Sequence, residues 1–311
     1  KFIMISLVFP GQGSQKVGMG SDLYNKYEYV KQIFKNADDI LGYKISDLIL
    51  NGPQEKLNQT TFTQPAIYLI GYTICEVLKK ETNFFEKEYN FFAGHSLGEY
   101  SALTIANSIN LDQGLMLLKN RGEAMQSAIP LGEGGMLAVL GIEANELKKI
   151  IKENFENIKC FLANDNSNEQ IILSGKNIEL EKFSRILKEK KIKNIKLPVS
   201  APFHCELMRA ATHKMRTVIN SQQINVPNFK VVSNVTATEY QNTDEIKQLL
   251  IKQIESPVRW RESVEYMISN GTNTFVEIGP GKVLSGLIKR INKEVKVLNI
   301  DKLEDIQGIN L

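Results

Sequence analysis

The sequence predicts an α/β protein with a hydrolase-like core, a parallel sheet and a nucleophile elbow, into which a ferredoxin-like β-α-β-β-α-β subdomain is inserted. Three observations carry that expectation. An apolar run, Phe91-Phe92-Ala93, enters a Gly94-His95-Ser96-Leu97-Gly98 turn and leaves as a helix-forming segment, which is the strand-turn-helix context of an elbow. Strand-length apolar runs alternate with helical segments in the first and last thirds of the chain. Between them, residues 134–198 follow a β-α-β-β-α-β order.

The elbow is the chemical centre. A serine hydroxyl is a weak nucleophile at neutral pH, so a fold that uses one lifts it out of the chain and surrounds it with a base and N–H donors. Gly94 and Gly98 remove Cβ atoms that collide where a strand turns sharply into a helix, and the helix N-terminus leaves unpaired N–H groups beside the hydroxyl. Ser96 is therefore the candidate nucleophile. Alone, the pattern is weak, because glycine is about 7% of ordinary sequence and serine is similarly common.

Composition sets outer limits. With 311 residues, 42% hydrophobic and 23% charged, the chain can bury one sizeable core plus a smaller subdomain, and it is neither disordered nor fibrous. A net charge of +3 is too mild and too dispersed for a nucleic-acid binder. Cys75, Cys160 and Cys205 are widely spaced and lack a CxxC pattern, so free thiols are expected rather than a disulfide framework or zinc site. No run of about 18 apolar residues occurs; the nearest, 65–78, is interrupted by Gly71, Thr73 and Glu76, and no membrane span is expected. The sequence opens at Lys1 rather than Met, so a removed leader is among the expectations.

Residues 2–9 read as a buried strand, followed by the tight loop Pro10-Gly11-Gln12-Gly13-Ser14-Gln15. It is not a phosphate loop. A dinucleotide fingerprint needs glycine where Lys16 stands, and Gly18 is followed by Met19 rather than by Lys-Ser/Thr. The loop instead suits backbone N–H groups turned towards a substrate oxygen, with Gln12 flanked by glycines. Helical character follows over 22–36, a turn at 51–53, a polar loop at 61–64, a helix over 65–78, a strand over 89–93 and a helix over 97–106. Asn110-x-x-Gln113 is a capping-box pattern. In the helix it opens, Leu111, Leu115, Leu118 and Met125 share a face with Arg121 at its edge. On residue type alone, Arg121 reads as a solvated charge.

In the insert, strands are expected over 136–140, 158–163, 170–174 and 195–197, and helices over 145–153 and 178–190. Gly132, Gly134 and Gly135 mark its start and Pro198 its end. That divides the chain into a discontinuous large part, 1–133 with 199–311, and a small part, 134–198, and a cleft between two such parts is a natural ligand site. Of three histidines, His95 points away from Ser96 at a strand end and reads as structural, and His213 reads as a surface residue. His204, in the Pro-fixed stretch Ser200-Ala201-Pro202-Phe203-His204 before a helix near Cys205, is the best-placed base. A strand over 229–234, a helix over 244–254, a helix to 269 and a strand over 274–278 precede the turn Gly279-Pro280-Gly281-Lys282. That turn is not a Walker loop, since Val276 and Val283 stand where glycine and Ser/Thr are required.

Taken together, Pro10-Gly11-Gln12-Gly13-Ser14-Gln15, Gly94-His95-Ser96-Leu97-Gly98-Glu99, Ser200-Ala201-Pro202-Phe203-His204 and Glu277-Ile278-Gly279-Pro280-Gly281 resemble the malonyl-CoA:acyl carrier protein transacylases of type II fatty acid synthesis. The motifs run in family order almost the whole length of the chain, to Arg290. The resemblance implies that Ser96 takes malonyl from coenzyme A as an ester and passes it to the phosphopantetheine thiol of the carrier protein, with ping-pong kinetics. It further implies that His204 handles the proton and is oriented by the main-chain carbonyl of Gln253 rather than by an Asp. The backbone N–H groups of Gln12 and Leu97 would form the oxyanion hole.

By the same resemblance Arg121 becomes the ligand of the malonyl carboxylate, and Phe203 a bulky ring that disfavours an α-methyl group. Asn164 and Met136 map near the acyl pocket, with polar loop and core filler as their alternatives. No bound cofactor or metal is expected, only malonyl-CoA as substrate and the partner's phosphopantetheine. The expected partner is an acyl carrier protein met transiently by a monomer, and the expected setting an apicoplast-like plastid stroma or a bacterial cytoplasm. Lys191, Lys193 and Lys196 form a basic cluster suited to an acidic carrier. The rivals are a serine hydrolase (esterase or thioesterase), a carrier-binding module without catalysis, and a methylmalonyl transferase. Transfer is expected to decline as acid protonates His204 in the imidazole range.

Overall fold

The computed structural model describes residues 3–309; Phe2, read above as the start of the first strand, lies outside them. Five parallel strands form the main sheet in the order β7-β2-β1-β8-β9. They are β1 (Ile5–Phe9), β2 (Tyr89–Gly94), β7 (Val231–Val232), β8 (Thr274–Ile278) and β9 (Lys296–Ile300). β1 is buried along its whole length because helices cover both faces of the sheet. Leu7 and Phe9 join a core with Ile67, Ile70 and Ile74 of the Thr60–Glu81 helix. Val8, with Phe91 and Ala93, joins a second core with Trp260, Val264, Leu284 and Ile288 on the opposite face. Alternate side chains of one strand thus feed two layers.

Residues 134–196 form a separate antiparallel sheet, order β4-β5-β3-β6, from β3 (Gly134–Leu140), β4 (Cys160–Ser167), β5 (Gln170–Lys176) and β6 (Lys193–Lys196). Leu137, Val139, Ile171 and Leu173 pack against Leu147 and Ile150 of the Ala144–Asn154 helix and Phe183 and Leu187 of the Asn177–Glu189 helix. Met136, Ala138 and Ile172 point from the other face towards the main core. The small sheet therefore lends one face to its own helices and the other to the cleft.

Several elements differ from the sequence reading. The helix expected from residue 65 begins at Thr60 and runs to Glu81 with Pro65 inside it. A residue before proline resists helical backbone, which is why 61–64 reads as loop. Burial of Thr60, Thr63 and Gln64 against neighbouring helices overrides that preference. β4 extends to Ser167, past two register shifts, so Asn164 stands in a strand and not in a polar loop. The strand expected over 229–234 shortens to Val231–Val232. The Val283–Ile291 helix and β9 complete the last third.

One tie between β4 and the large part of the chain runs through Val258. Val258 N–H donates to the Ala163 carbonyl at 2.8 Å and Asp165 N–H to the Val258 carbonyl at 2.9 Å. Beside them Arg261 grips Asp165 through two parallel bonds, Nε to Oδ1 at 3.1 Å and Nη2 to Oδ2 at 2.8 Å. Asp165 is buried, so its carboxylate depends on that fork. Asp165→Ala is expected to cost about 1–3 kcal/mol of unfolding free energy, read from urea unfolding midpoints; an unchanged midpoint would show that the fork contributes nothing.

Candidate active site

The serine stands where β2 ends. Ser96 has a φ of 54°, a left-handed conformation that costs energy for any residue with a Cβ and is kept where surrounding contacts enforce it. The sharpness of the turn explains its glycines. A Cβ on Gly94 would lie 1.9 Å from backbone atoms of Gly98, and one on Gly98 would lie 2.2 Å from the Phe9 carbonyl oxygen. Asn234, two residues beyond β7, locks the turn: its Oδ1 accepts from Ser96 N–H at 2.8 Å and its Nδ2 donates to the Gly94 carbonyl at 2.7 Å. The hydroxyl is thus presented beyond the carboxyl ends of the parallel strands, where open α/β sheets place their ligands.

His204 reaches Ser96 from a loop pinned at both sides. Ser174 Oγ of β5 donates to the Phe203 carbonyl at 2.5 Å, and Cys205 Sγ meets the Pro202 carbonyl at 3.2 Å. His204 Nε2 lies 2.8 Å from Ser96 Oγ, and its Nδ1 lies 2.9 Å from the Gln253 carbonyl. Gln253 ends the Thr243–Gln253 helix, and a last-turn carbonyl has no intrahelical partner. It accepts the Nδ1 proton and leaves Nε2 free to take the serine proton. No acidic residue is needed to set the tautomer.

Arg121, which residue type alone places in solvent, is 1% exposed. Nη1 donates to Gln64 Oε1 at 2.7 Å, and Nη2 donates to Gln253 Oε1 at 2.8 Å and to Ser96 Oγ at 3.1 Å. Its carbon lies 5.6 Å from the Tyr100 ring centroid, within reach of a cation–π attraction. The Asn110 and Gln113 box forms as expected, each side chain meeting the other's backbone, and the helix it opens, Leu111–Gln126, carries Arg121 inward. Gln64 is among the residues the sequence reading missed; in the polar run Thr60-Thr61-Phe62-Thr63-Gln64 its amide carries no signal of its own.

A cavity of about 580 Å³ opens above the serine, bordered by Gln12, Leu97, Arg121, Met136, Asn164 and Phe203. Every candidate named from sequence lines it except Gln253, which lies beneath the dyad. Among the described residues neither Gln12 N–H nor Leu97 N–H has an acceptor. Both are therefore available to an anion. His95, expected to be structural, also borders the cavity; its Nε2 is 2.8 Å from Asn166 Oδ1 and 3.4 Å from Asn164 Nδ2. No group of three or more His, Cys, Asp or Glu among the described residues is placed to hold a metal ion. No helix among them is long and apolar enough to cross a membrane.

Electrostatics correct one expectation. Burial, with the Arg121 charge beside it, pushes the His204 imidazole down to about 3, although its bond to Gln253 pulls the other way. An unfolded imidazole takes its proton near pH ~6.5. Between that value and the folded one the unfolded chain binds more protons, so this group favours folding above the unfolded value and loses that contribution as pH falls. For the reaction, the base stays neutral through the ordinary imidazole range. Titration of His204 is expected to cost no acylation rate between about pH 7 and 5, checked by rapid-mixing kinetics; a half-loss near 6.5 would mean a solvated imidazole.

Comparison with known proteins agrees with this geometry. The profile of the family described as acyl transferase domain matches residues 6–304. The malonyl CoA-acyl carrier protein transacylase of Bacillus subtilis is 41% identical over 305 residues, covering 97% of this chain and 95% of the relative. The crystal structure of acyl-carrier-protein-S-malonyltransferase from Bartonella henselae superposes with a TM-score of 0.95 at 38% identity, covering 98% of both chains. A malonyl-transacylase solved in complex with a type II PKS acyl-carrier protein superposes at 0.93 with 36% identity, again covering 98% of both chains. Elbow, dyad, buried guanidinium and relatives converge: the chain belongs to the acyl transferase domain family and, within it, to the malonyl CoA-acyl carrier protein transacylases.

Proposed function

We propose that this protein moves the malonyl group of malonyl-CoA to the phosphopantetheine thiol of a holo acyl carrier protein, through an ester on Ser96, in fatty acid biosynthesis. One observation carries the reading: a serine hydroxyl lies 2.8 Å from a buried imidazole and 3.1 Å from a buried guanidinium in one cavity. Ser96 Oγ attacks the thioester carbonyl while His204 Nε2 takes its proton, and the tetrahedral oxyanion is held by the Gln12 and Leu97 N–H groups. The carbon–sulfur bond then breaks, and the coenzyme A thiolate leaves with the proton from His204. In the second half the carrier thiol gives its proton to His204 and attacks the ester, and Ser96 recovers its proton as it leaves.

Arg121 supplies the selection. Its donors meet neutral oxygens of Gln64, Gln253 and Ser96; a malonyl carboxylate offers a charge-assisted bidentate pairing that acetyl cannot. Phe203 limits room beside the α-carbon, and Met136 and Asn164 shape the wall contributed by the small sheet. Intact-protein mass spectrometry after brief exposure to malonyl-CoA, acetyl-CoA or methylmalonyl-CoA tests this. The unmodified chain is expected to gain malonyl, lose it to holo carrier, and gain little methylmalonyl; Ser96→Ala gains nothing. Arg121→Ala is expected to form the malonyl adduct at least about 100-fold more slowly, as removal of a buried ionic partner implies. Free malonate appearing at a rate independent of carrier would support the hydrolase instead, and carrier binding without acylation the non-catalytic module.

The reading extends to docking. Lys193 and Lys196 are exposed on β6, with Lys191 exposed just before it, at the end of the small sheet's order. The chain runs from there to Leu197, Pro198 and Val199 at the cavity. An acidic carrier seated on this edge would have its thiol arm directed at the mouth. Lys→Glu at 191, 193 and 196 together is expected to raise the apparent KM for the carrier by about tenfold or more while leaving that for malonyl-CoA unchanged; an unchanged carrier KM would remove this face. The same reading divides the chain into 1–133 with 199–311 and 134–198, with the site between them, acting as a monomer. The Bacillus subtilis and Bartonella henselae relatives are bacterial, which supports bacterial cytoplasm over plastid stroma as the setting.

A further inference from the structure

Arg121 is a buried cation to which no carboxylate bonds among the described residues. Its Nη atoms meet only Gln64, Gln253 and Ser96, and its Nε has no acceptor at all among them. The anion of this network stands one amide away. Gln253 accepts from Arg121 through Oε1 and donates through Nε2 to Glu99 Oε2 at 2.8 Å. Glu99 has no exposed surface. Its Oε2 also accepts from Asn234 N–H at 3.0 Å, and its Oε1 accepts from the Tyr240 hydroxyl. The titratable or charged groups facing it are Arg121 from the Leu111–Gln126 helix, Tyr100 beside it on the Gly98–Ile105 helix, and Tyr240 from the segment after β7.

We propose that Glu99 is the exchangeable counter-ion of Arg121: when the carboxylate of a dicarboxylic acyl group reaches that guanidinium, Glu99 takes up one proton from solvent. This rests on the reading of Arg121 given above. A buried cation balanced by one buried anion would otherwise face two. The step is Glu99–COO⁻ plus H⁺ giving Glu99–COOH. The new O–H at Oε1 donates to the Tyr240 oxygen, which can act as donor or acceptor. The Glu99–Tyr240 contact is thus kept in both charge states. Burial already pushes the Glu99 carboxyl up to about 7, against the pull of Tyr240, Asn234, Gln253 and Arg121, so the proton is available near neutrality. Glu99 is a positioning residue that acts through Gln253 and touches no substrate.

The test is the equilibrium constant for ester formation on Ser96 between about pH 6 and 8.5, measured by mass spectrometry for malonyl-CoA and acetyl-CoA and corrected for ionisation of the released thiol. Uptake of one proton makes the malonyl constant fall about tenfold per pH unit above about 7, with no such fall for acetyl and none for malonyl in Glu99→Gln. A purely structural Glu99 would not tilt this line. A pH-independent malonyl constant, an equal slope for acetyl, or the same slope in Glu99→Gln overturns the proposal. Should Glu99→Gln not fold, the difference between malonyl and acetyl slopes in the unmodified protein decides. Arg121→Ala separates the two readings: malonyl preference lost beside a flat wild-type line sinks only the proton coupling, whereas preference kept sinks the Arg121 reading with it.

Discussion

Gln253 is the residue on which the site's other distances depend. Its carbonyl fixes the His204 tautomer, and its side-chain oxygen holds Arg121. Its amide nitrogen reaches Ser96 O, Glu99 Oε2 and Asn234 Oδ1 at 3.1, 2.8 and 3.2 Å. One residue, through its main-chain carbonyl and a side chain with two N–H bonds, therefore ties base, cation, anion and elbow together. Such a network holds only when dry and fully connected, and Gln253 has no exposed surface. The helix end supplies what a buried aspartate supplies in a triad: an oriented acceptor with partial negative charge, but without a second carboxylate close to Ser96.

The large sheet presents this network and the small sheet closes over it. β1, β2, β7 and β8 all run the same way, so the Gln12 loop, Ser96, Asn234 and the Gly279 turn emerge on one side. The antiparallel sheet brings Met136, Ala138 and Ile172 as an apolar wall. Its link to Val258 and Arg261 adjoins Asn164 and Asn166. A nucleophile between a polar floor and an apolar wall suits a reaction that must keep an ester from water until a thiol arrives.

The low basicity of His204 and the burial of Arg121 have a common origin. Taking a cation out of water is costly, and that cost works against a second positive charge on the neighbouring imidazole, keeping it in the form that accepts a proton. The same cation makes an incoming carboxylate welcome. On the proposed role of Arg121, selection of the acyl group and activation of the nucleophile are two effects of one buried charge.

The nucleophile was legible because an elbow is a local device: two glycines and a serine at fixed spacing describe a turn whose Cβ clashes are set by backbone geometry within five residues. The Asn110 and Gln113 box, the β-α-β-β-α-β rhythm and the strand over 274–278 were legible for the same reason. Arg121, Gln64 and Glu99 were not, because their type and spacing are those of ordinary helix residues; Arg121 was singled out only by the family resemblance. Their burial arises when the Thr60–Glu81, Gly98–Ile105 and Leu111–Gln126 helices pack around the elbow and the end of the Thr243–Gln253 helix, bringing together residues 64, 99, 121 and 253. The sequence by itself determined which atoms can react, since local backbone chemistry does that. Only the tertiary structure decided which charge they react beside, since desolvation belongs to the assembled core and to no segment of it.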